Sequence, residues 1–254
     1  MTPDVVDAVR RLVTDERLGA KLTVVAGTEL GSTSVFDREA GVVAGVDPGA
    51  AVTADAAALV DREKSATLRY DDGVEVFVDV MAPRPRLLVF GAVHIAQELS
   101  AIARRLGYHV TVSDARPAFT TGERFPNVDR LLVGWPGDLA GDLVFDRRTY
   151  VVILSHDARF EDPLWPMIHG TPVRYIGAMG SRRTAAARRV RLIDAGWAED
   201  EVDRIHGPVG IDLGGESPGE VALSILAEMT AVRYGVGVEP ELTGVVQRLG
   251  RNEG

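Results

Sequence analysis

Four short stretches carry residue types that can do chemistry, and most of them follow an apolar run. The first is Gly91-Ala92-Val93-His94-Ile95-Ala96, directly after Leu87–Phe90. A dinucleotide-binding turn wants glycine at the first, third and sixth of these places, so that backbone can approach a pyrophosphate and the helix can pack close to its strand. Gly91 fills the first place, and alanine is tolerated at the sixth. Val93 departs from the pattern, because a branched side chain obstructs the approach of phosphate. Asp114 ends the next apolar run, about where an acid that binds ribose is expected. The fold signal is therefore good and the NAD(P) signal is damaged; the same turn also suits a fold with no nucleotide.

The second stretch is Tyr175-Ile176-Gly177-Ala178-Met179-Gly180-Ser181-Arg182-Arg183. Ser181 is placed to cap a helix whose first amides and dipole favour an anion, and Arg182 and Arg183 add charge-assisted donors. The plainer alternative is a capped helix with solvated arginines. The third is Leu154-Ser155-His156-Asp157 at the end of another apolar run. His156 is suited to donating to a ligand or moving a proton, and a His-Asp pair is equally a local hydrogen-bonding device. The fourth runs from Gly210 to Glu220. Ser217, Pro218 and Glu220 make a capping box, which leaves Asp212 and Glu216 in a glycine-rich loop unexplained. Beyond it, Glu228 falls on the apolar helical face of Val221, Ile225 and Val232, where a carboxylate must be paired, neutralised or facing a cleft. No pair of the five histidines has the close spacing of metal ligands.

These groups need elements to position them. Residues 3–18 read as an amphipathic helix, followed by strand-like runs at 22–26, 33–36 and 42–46. Thr53 or Asp55 can cap a helix reaching about Lys64, and runs at 66–70 and 74–81 flank the hairpin turn Asp71-Asp72-Gly73. Residues 1–83 thus form a small α+β domain, and Pro83-Arg84-Pro85 reads as a linker. From Arg86 the pattern changes. Apolar strands at 87–90, 109–113, 128–133, 150–154 and 173–176 alternate with helices at 95–106, around 163–169, at 182–195 and at 218–234. Strands apolar on both faces and alternating with helices predict an α/β fold, a Rossmann-like doubly wound parallel sheet, over 84–238. Residues 239–254 read as a polar tail.

Composition narrows the function classes. A formal net charge of −9 argues against a protein that coats nucleic acid. No apolar run reaches the ~20 residues of a membrane span and the N-terminus has no signal-peptide pattern, so no membrane association and a cytoplasmic location are expected. The absence of cysteine removes disulfides, thiolate metal sites and cysteine nucleophiles together. Of 28 basic residues only Lys21 and Lys64 are lysine, and arginine suits planar, bidentate binding of phosphate.

Taken in order, FGAVHIA, VTVSDARPAF, ERFPNVD, LSHD, YIGAMGSRRT and RIHGPVGIDLGGESPGEVALSILAE resemble the XdhC/CoxI family, accessory proteins of xanthine dehydrogenase and related molybdenum hydroxylases. TVVAGTELGS and DREAGVVAG resemble that family's small N-terminal domain. The resemblance implies a chaperone that transiently binds molybdenum cofactor and delivers it to a molybdenum hydroxylase apoenzyme, with a sulfurtransferase as second partner and a homodimer left open. On this reading the cofactor-binding residues are Gly91, His94, Asp114, Arg116, His156, Asp157, Gly177, Gly180, Ser181, Arg182, Arg183, Asp212 and Glu216, none of them catalytic and none a metal ligand. The alternatives are a NAD(P)-dependent oxidoreductase and a ligand-free scaffold. Two departures stand out: Val93 replaces the family's second glycine, and Val46-Asp47-Pro48-Gly49 replaces its glycine–cysteine segment. Without cysteine this chain cannot relay a persulfide.

Overall fold

The computed structural model describes residues 2–155, 158–236 and 245–246. Contacts divide the chain into two units, residues 1–83 with the segment from Arg233 onward, and Arg84–Val232. In the first unit the order is α1 (Pro3–Thr14), β1 (Gly19–Ala26), β2 (Thr33–Asp37), β3 (Gly41–Gly45), α2 (Ala50–Asp61), β4 (Ala66–Arg69) and β5 (Glu75–Met81). With the short strand β12 (Val245–Val246) these form one antiparallel sheet, ordered β12-β4-β5-β1-β2-β3. Alternation along the strands gives the sheet two apolar faces. α2 covers one, packing Val52, Ala56, Leu59 and Val60 over Leu22, Leu68 and Val78. α1 covers the other, with Val5 and Leu12 against Val35.

Two expectations of helix limits are corrected here. α1 stops at Thr14 rather than 18, because Glu16 takes a left-handed conformation and the Arg17 amide turns back to the Leu12 carbonyl. α2 starts at Ala50 on Gly49, not on Thr53 or Asp55, and has no side-chain cap; Asp55 is instead buried inside the helix, accepting the Tyr70 hydroxyl at 2.9 Å. Within the expected polar tail, Val245 and Val246 pair with β4.

The second unit runs β6 (Arg86–Phe90), α3 (His94–Arg105), β7 (His109–Asp114), β8 (Arg130–Val133), β9 (Thr149–Ile153), α4 (Ala158–Glu161), α5 (Leu164–Ile168), β10 (Tyr175–Ala178), α6 (Arg182–Asp194), α7 (Glu199–Asp203), β11 (Ile205–His206) and α8 (Pro218–Tyr234). The six strands are parallel and ordered β11-β10-β9-β6-β7-β8. Successive residues of each strand feed opposite cores, which is why the strands read as unbroken apolar runs. Leu87, Val89, Val110, Tyr150 and Val152 pack against α3 and α8, while Leu88, Phe90, Val151, Ile153 and Ile176 pack against α4 to α7. This is the doubly wound Rossmann arrangement. The chain leaves β6 in one direction for β7 and β8 and returns on its other side with β9, so the topological switch point lies between β6 and β9.

Here the expected helix around 163–169 is α5, and a further short helix, α4, precedes it. The expected strand 173–176 lies at 175–178. α7 and β11 carry too few residues to leave a periodic signal.

Candidate functional site

At the switch point the backbone of the Gly91–His94 turn is held from both sides. Gly91 has φ of 112°, and an added Cβ would lie 3.1 Å from the Ser155 nitrogen and 3.2 Å from the Leu154 carbonyl carbon. Glycine is therefore required for conformation and for the close approach of the β9 end. Gly91→Ala should cost about 1–3 kcal/mol of stability, read from urea unfolding. A loss below ~0.5 kcal/mol, the range of neutral surface changes, would show that the turn relaxes freely.

Asp114 is buried at the end of β7, and its carboxylate is fully engaged. It accepts the Ala92 amide at 2.8 Å, the Arg116 amide and Nε at 2.9 Å each, and Arg116 Nη2 at 2.7 Å. Burial pushes this carboxyl up, but Arg116 and the two amides outweigh it and hold it below its usual value. Both of its oxygens thus already serve the turn and Arg116. Val93 has φ of −89°, needs no glycine, and packs against the core of the sheet. It ends the turn as the N-cap residue of α3 without capping it, and the amides of His94 and Ile95 have no partner among the described residues. The His94 side chain is exposed. An uncapped twelve-residue helix starting at the switch point offers fixed donors and the positive end of its dipole to an anion.

The second helix start differs. Ser181 caps α6, accepting the Thr184 amide at 3.2 Å, so part of its donor capacity is used internally. Arg182 and Arg183 are exposed and make no ion pair among the described residues. Gly177 is a packing glycine, since an added Cβ would lie 2.5 Å from Val209 Cγ2 and 2.7 Å from the Tyr175 ring. Gly180 takes φ of 140° before the cap. Asp212 is exposed and, among the described residues, accepts only the Gly214 amide, at 3.2 Å. Glu216 is exposed too, and the Ser217–Glu220 capping box forms as expected. His156 and Asp157 lie outside the described residues.

One cluster was not foreseen as a unit. Glu228 of α8 is paired, with Oε1 3.2 Å from His206 Nδ1 and Oε2 accepting the Gly210 amide at 3.0 Å and the buried Tyr175 hydroxyl. The His206 ring stacks on Tyr175 with centroids 4.7 Å apart. Burial pushes the Glu228 carboxyl up, but His206, Tyr175 and Gly210 together hold it below its usual value. Burial first and the hydrogen bond to Glu228 second push the Tyr175 hydroxyl far up, so it stays a donor. His206 is in register with Gly177 on neighbouring strands, its Nδ1 is directed to a carboxylate, and Nε2 has no partner among the described residues. The sequence signalled only Glu228, by its place on an apolar helical face. Its partners come from β10, β11 and the loop after β11.

Among the described residues no group of His, Asp and Glu is arranged to hold a metal ion, and no helix is long and apolar enough to cross a membrane. A doubly wound parallel sheet with a helix start at its switch point defines a Rossmann-type domain. Residues 87–229 match the XdhC Rossmann domain, and the chain belongs to the XdhC family. It is 30% identical over 169 residues to a protein of Bacillus subtilis named as a probable xanthine dehydrogenase subunit, covering 66% of this chain and 49% of that protein. It is 30% identical over 151 residues to the molybdenum cofactor insertion chaperone PaoD of Escherichia coli, covering 59% and 41%. The chain thus spans about half or less of these curated relatives. The crystal structure of a xanthine dehydrogenase from Bacillus halodurans superposes with a TM-score of 0.63 over 92% of this chain and 66% of that one at 20% identity, a likeness of fold.

Proposed function

We propose that the chain is a maturation factor that binds molybdenum cofactor as cargo and passes it to a molybdenum hydroxylase apoenzyme of the xanthine or CO dehydrogenase type. The observation that carries the reading is the uncapped start of α3 at the switch point, where the His94 and Ile95 amides are open to an anion. Molybdenum cofactor carries a phosphate, and fixed amides at a helix start suit it. The relationship to PaoD supports the same cargo. Arg182 and Arg183 at α6 form a second, more exposed cationic locus for the anionic end. With no cysteine in these 254 residues, sulfur for the cofactor comes from a partner sulfurtransferase. Release requires reversible binding, and a stoichiometric carrier of this kind acts in the cytoplasm.

The oxidoreductase reading is disfavoured by Asp114. In dinucleotide enzymes the corresponding acid receives ribose hydroxyls; here it is occupied by the Ala92 amide and Arg116.

The test is the molybdenum and pterin content of protein purified from cells that make the cofactor. Val93→Asp places a carboxylate at the N-cap position, where it takes up the open amides and repels phosphate. Retained cofactor should fall at least about tenfold, equivalent to ~1.4 kcal/mol of binding, with the fold kept by circular dichroism. Arg182→Ala with Arg183→Ala should give a smaller loss. Undiminished retention in folded Val93→Asp protein removes the α3 anchor. Cofactor-free wild-type protein that still binds apoenzyme makes the chain a ligand-free scaffold.

A further inference from the structure

The parallel-sheet unit holds a cavity of about 290 Å3 between α6, α7 and the end of β11. Ala186, Leu192, Val202 and Ile205 give it apolar walls, and Arg182, Arg188 and Arg189 line it too. The Arg188 side chain is 3% exposed, and a guanidinium has five N–H groups to place. Nε donates to Glu161 Oε1, and Nη2 donates to Glu161 Oε2 and the Met179 carbonyl. The two N–H groups of Nη1 meet no acceptor among the described residues. Buried donors are normally satisfied, so these two are fitted to an acceptor that the described residues do not supply. Nη1 lies at the cavity wall. A Cβ added to Gly207, which also lines the cavity, would come 3.6 Å from it, so the glycine leaves Nη1 uncovered on that side.

Charge fixes the kind of acceptor. Glu161 compensates Arg188, while Asp203 and Glu199 compensate Arg189. Arg182 is exposed and makes no ion pair among the described residues. The lining therefore carries one uncompensated positive charge, which suits a monoanion. A phosphate dianion would exceed that charge and would also meet the Asp203 carboxylate in the same wall. Guanidinium donors hold a carboxylate in charge-assisted bonds, and the apolar walls receive an uncharged body of the same molecule. The volume is at the lower end of small-molecule pockets, which begin at about 300 Å3, so that body is a single ring or a short branched chain.

We infer that this cavity is a binding site for a small organic monocarboxylate. Its carboxylate takes the Arg188 Nη1 donors with Arg182 at the rim, and its apolar body lies between α6 and α7. The site shares Arg182 with the second cationic locus proposed for the cargo, and it does not rest on cofactor anchoring at α3.

Calorimetric titration of the full chain tests it, with benzoate as the probe, benzamide as its uncharged counterpart and inorganic phosphate as the charged comparator. Saturable one-to-one binding of benzoate is expected, at least about tenfold tighter than that of benzamide and undisturbed by phosphate. Glu161→Leu combined with Arg188→Met removes the guanidinium together with its partner, so no buried charge is left alone. Benzoate binding should then fall at least about tenfold, with the wild-type circular dichroism kept. Ala186→Trp fills the cavity from an exposed position and should abolish binding at an unchanged melting midpoint, which decides the matter even where the double variant does not fold. The inference is overturned if benzoate does not saturate, if benzamide or phosphate binds equally well, or if the folded variants bind benzoate as the wild type does. It is overturned too if Ala186→Trp protein loses molybdenum cofactor that the wild type retains, since the cavity would then belong to the cargo site.

Discussion

Replacing Glu161 by alanine should lower the unfolding free energy of the parallel-sheet unit by about 3–5 kcal/mol. Glu161 and Arg188 are a buried pair, 7% and 3% exposed at their side chains. Arg188 Nε donates to Glu161 Oε1 at 2.7 Å and Nη2 to Oε2 at 3.2 Å, and Trp165 Nε1 adds a donor at 3.2 Å. Nη1 has no partner among the described residues. Without Glu161 the guanidinium is left in the core with one remaining acceptor, the Met179 carbonyl at 3.0 Å, and an uncompensated buried charge outweighs the lost packing. The same bond ties α6 to the backbone just before Gly180 and Ser181, so the loss should loosen the start of α6. Urea unfolding should shift its midpoint with an unchanged slope. Glu161→Leu combined with Arg188→Met should recover most of the loss, because an apolar pair of similar volume carries no desolvation cost. A single-mutant loss below ~1 kcal/mol would mean that Arg188 finds water or another acceptor, contrary to its burial.

That pair also shows where sequence reading stops. Arg188 sits beside Arg189 and Arg191, and the sequence offers one basic helical face. In the structure Arg189 turns to Asp203 and Glu199 on the surface, while Arg188 enters the core. The difference is set by α4, whose pattern is only four residues long. The parallel sheet was legible for the opposite reason. Runs such as Leu87–Phe90 and Tyr150–Ile153 are apolar at every position because both faces are buried, and that signal is local. Ser181 as the cap of α6 and Ser217 with Glu220 at α8 were legible because capping depends on residues three apart. The occupancy of Asp114 by Ala92 and the pairing of Glu228 with His206 and Tyr175 were not, since each joins groups more than twenty residues apart through strand order.

Asp114→Asn should cost about 2–4 kcal/mol at neutral pH and should do so in a pH-dependent way. Asparagine keeps one acceptor and replaces the other by a donor, yet four donors converge on this side chain. The Arg116 side chain is 55% exposed, so its share is screened by water and it can turn outward. The Ala92 amide is buried and cannot, which makes the turn bear the larger part. The carboxyl is held below its unfolded value, near 3.9 for an aspartate. Its stabilisation is therefore fully present above that value and is lost as pH falls through the lower folded one. Glu228 and Asp146 are held low in the same unit, the latter against its burial by Arg86 and Arg148, so the wild type should lose stability steeply in acid. The asparagine variant lacks one of the responsible groups, and the gap between the two proteins should narrow below about pH 4. Denaturant unfolding at pH 7 and pH 3 measures that gap. A gap that stays constant across this range would mean that Asp114 is not charged in the folded chain, and the Gly91–Val93 turn would then be held by something other than its carboxylate.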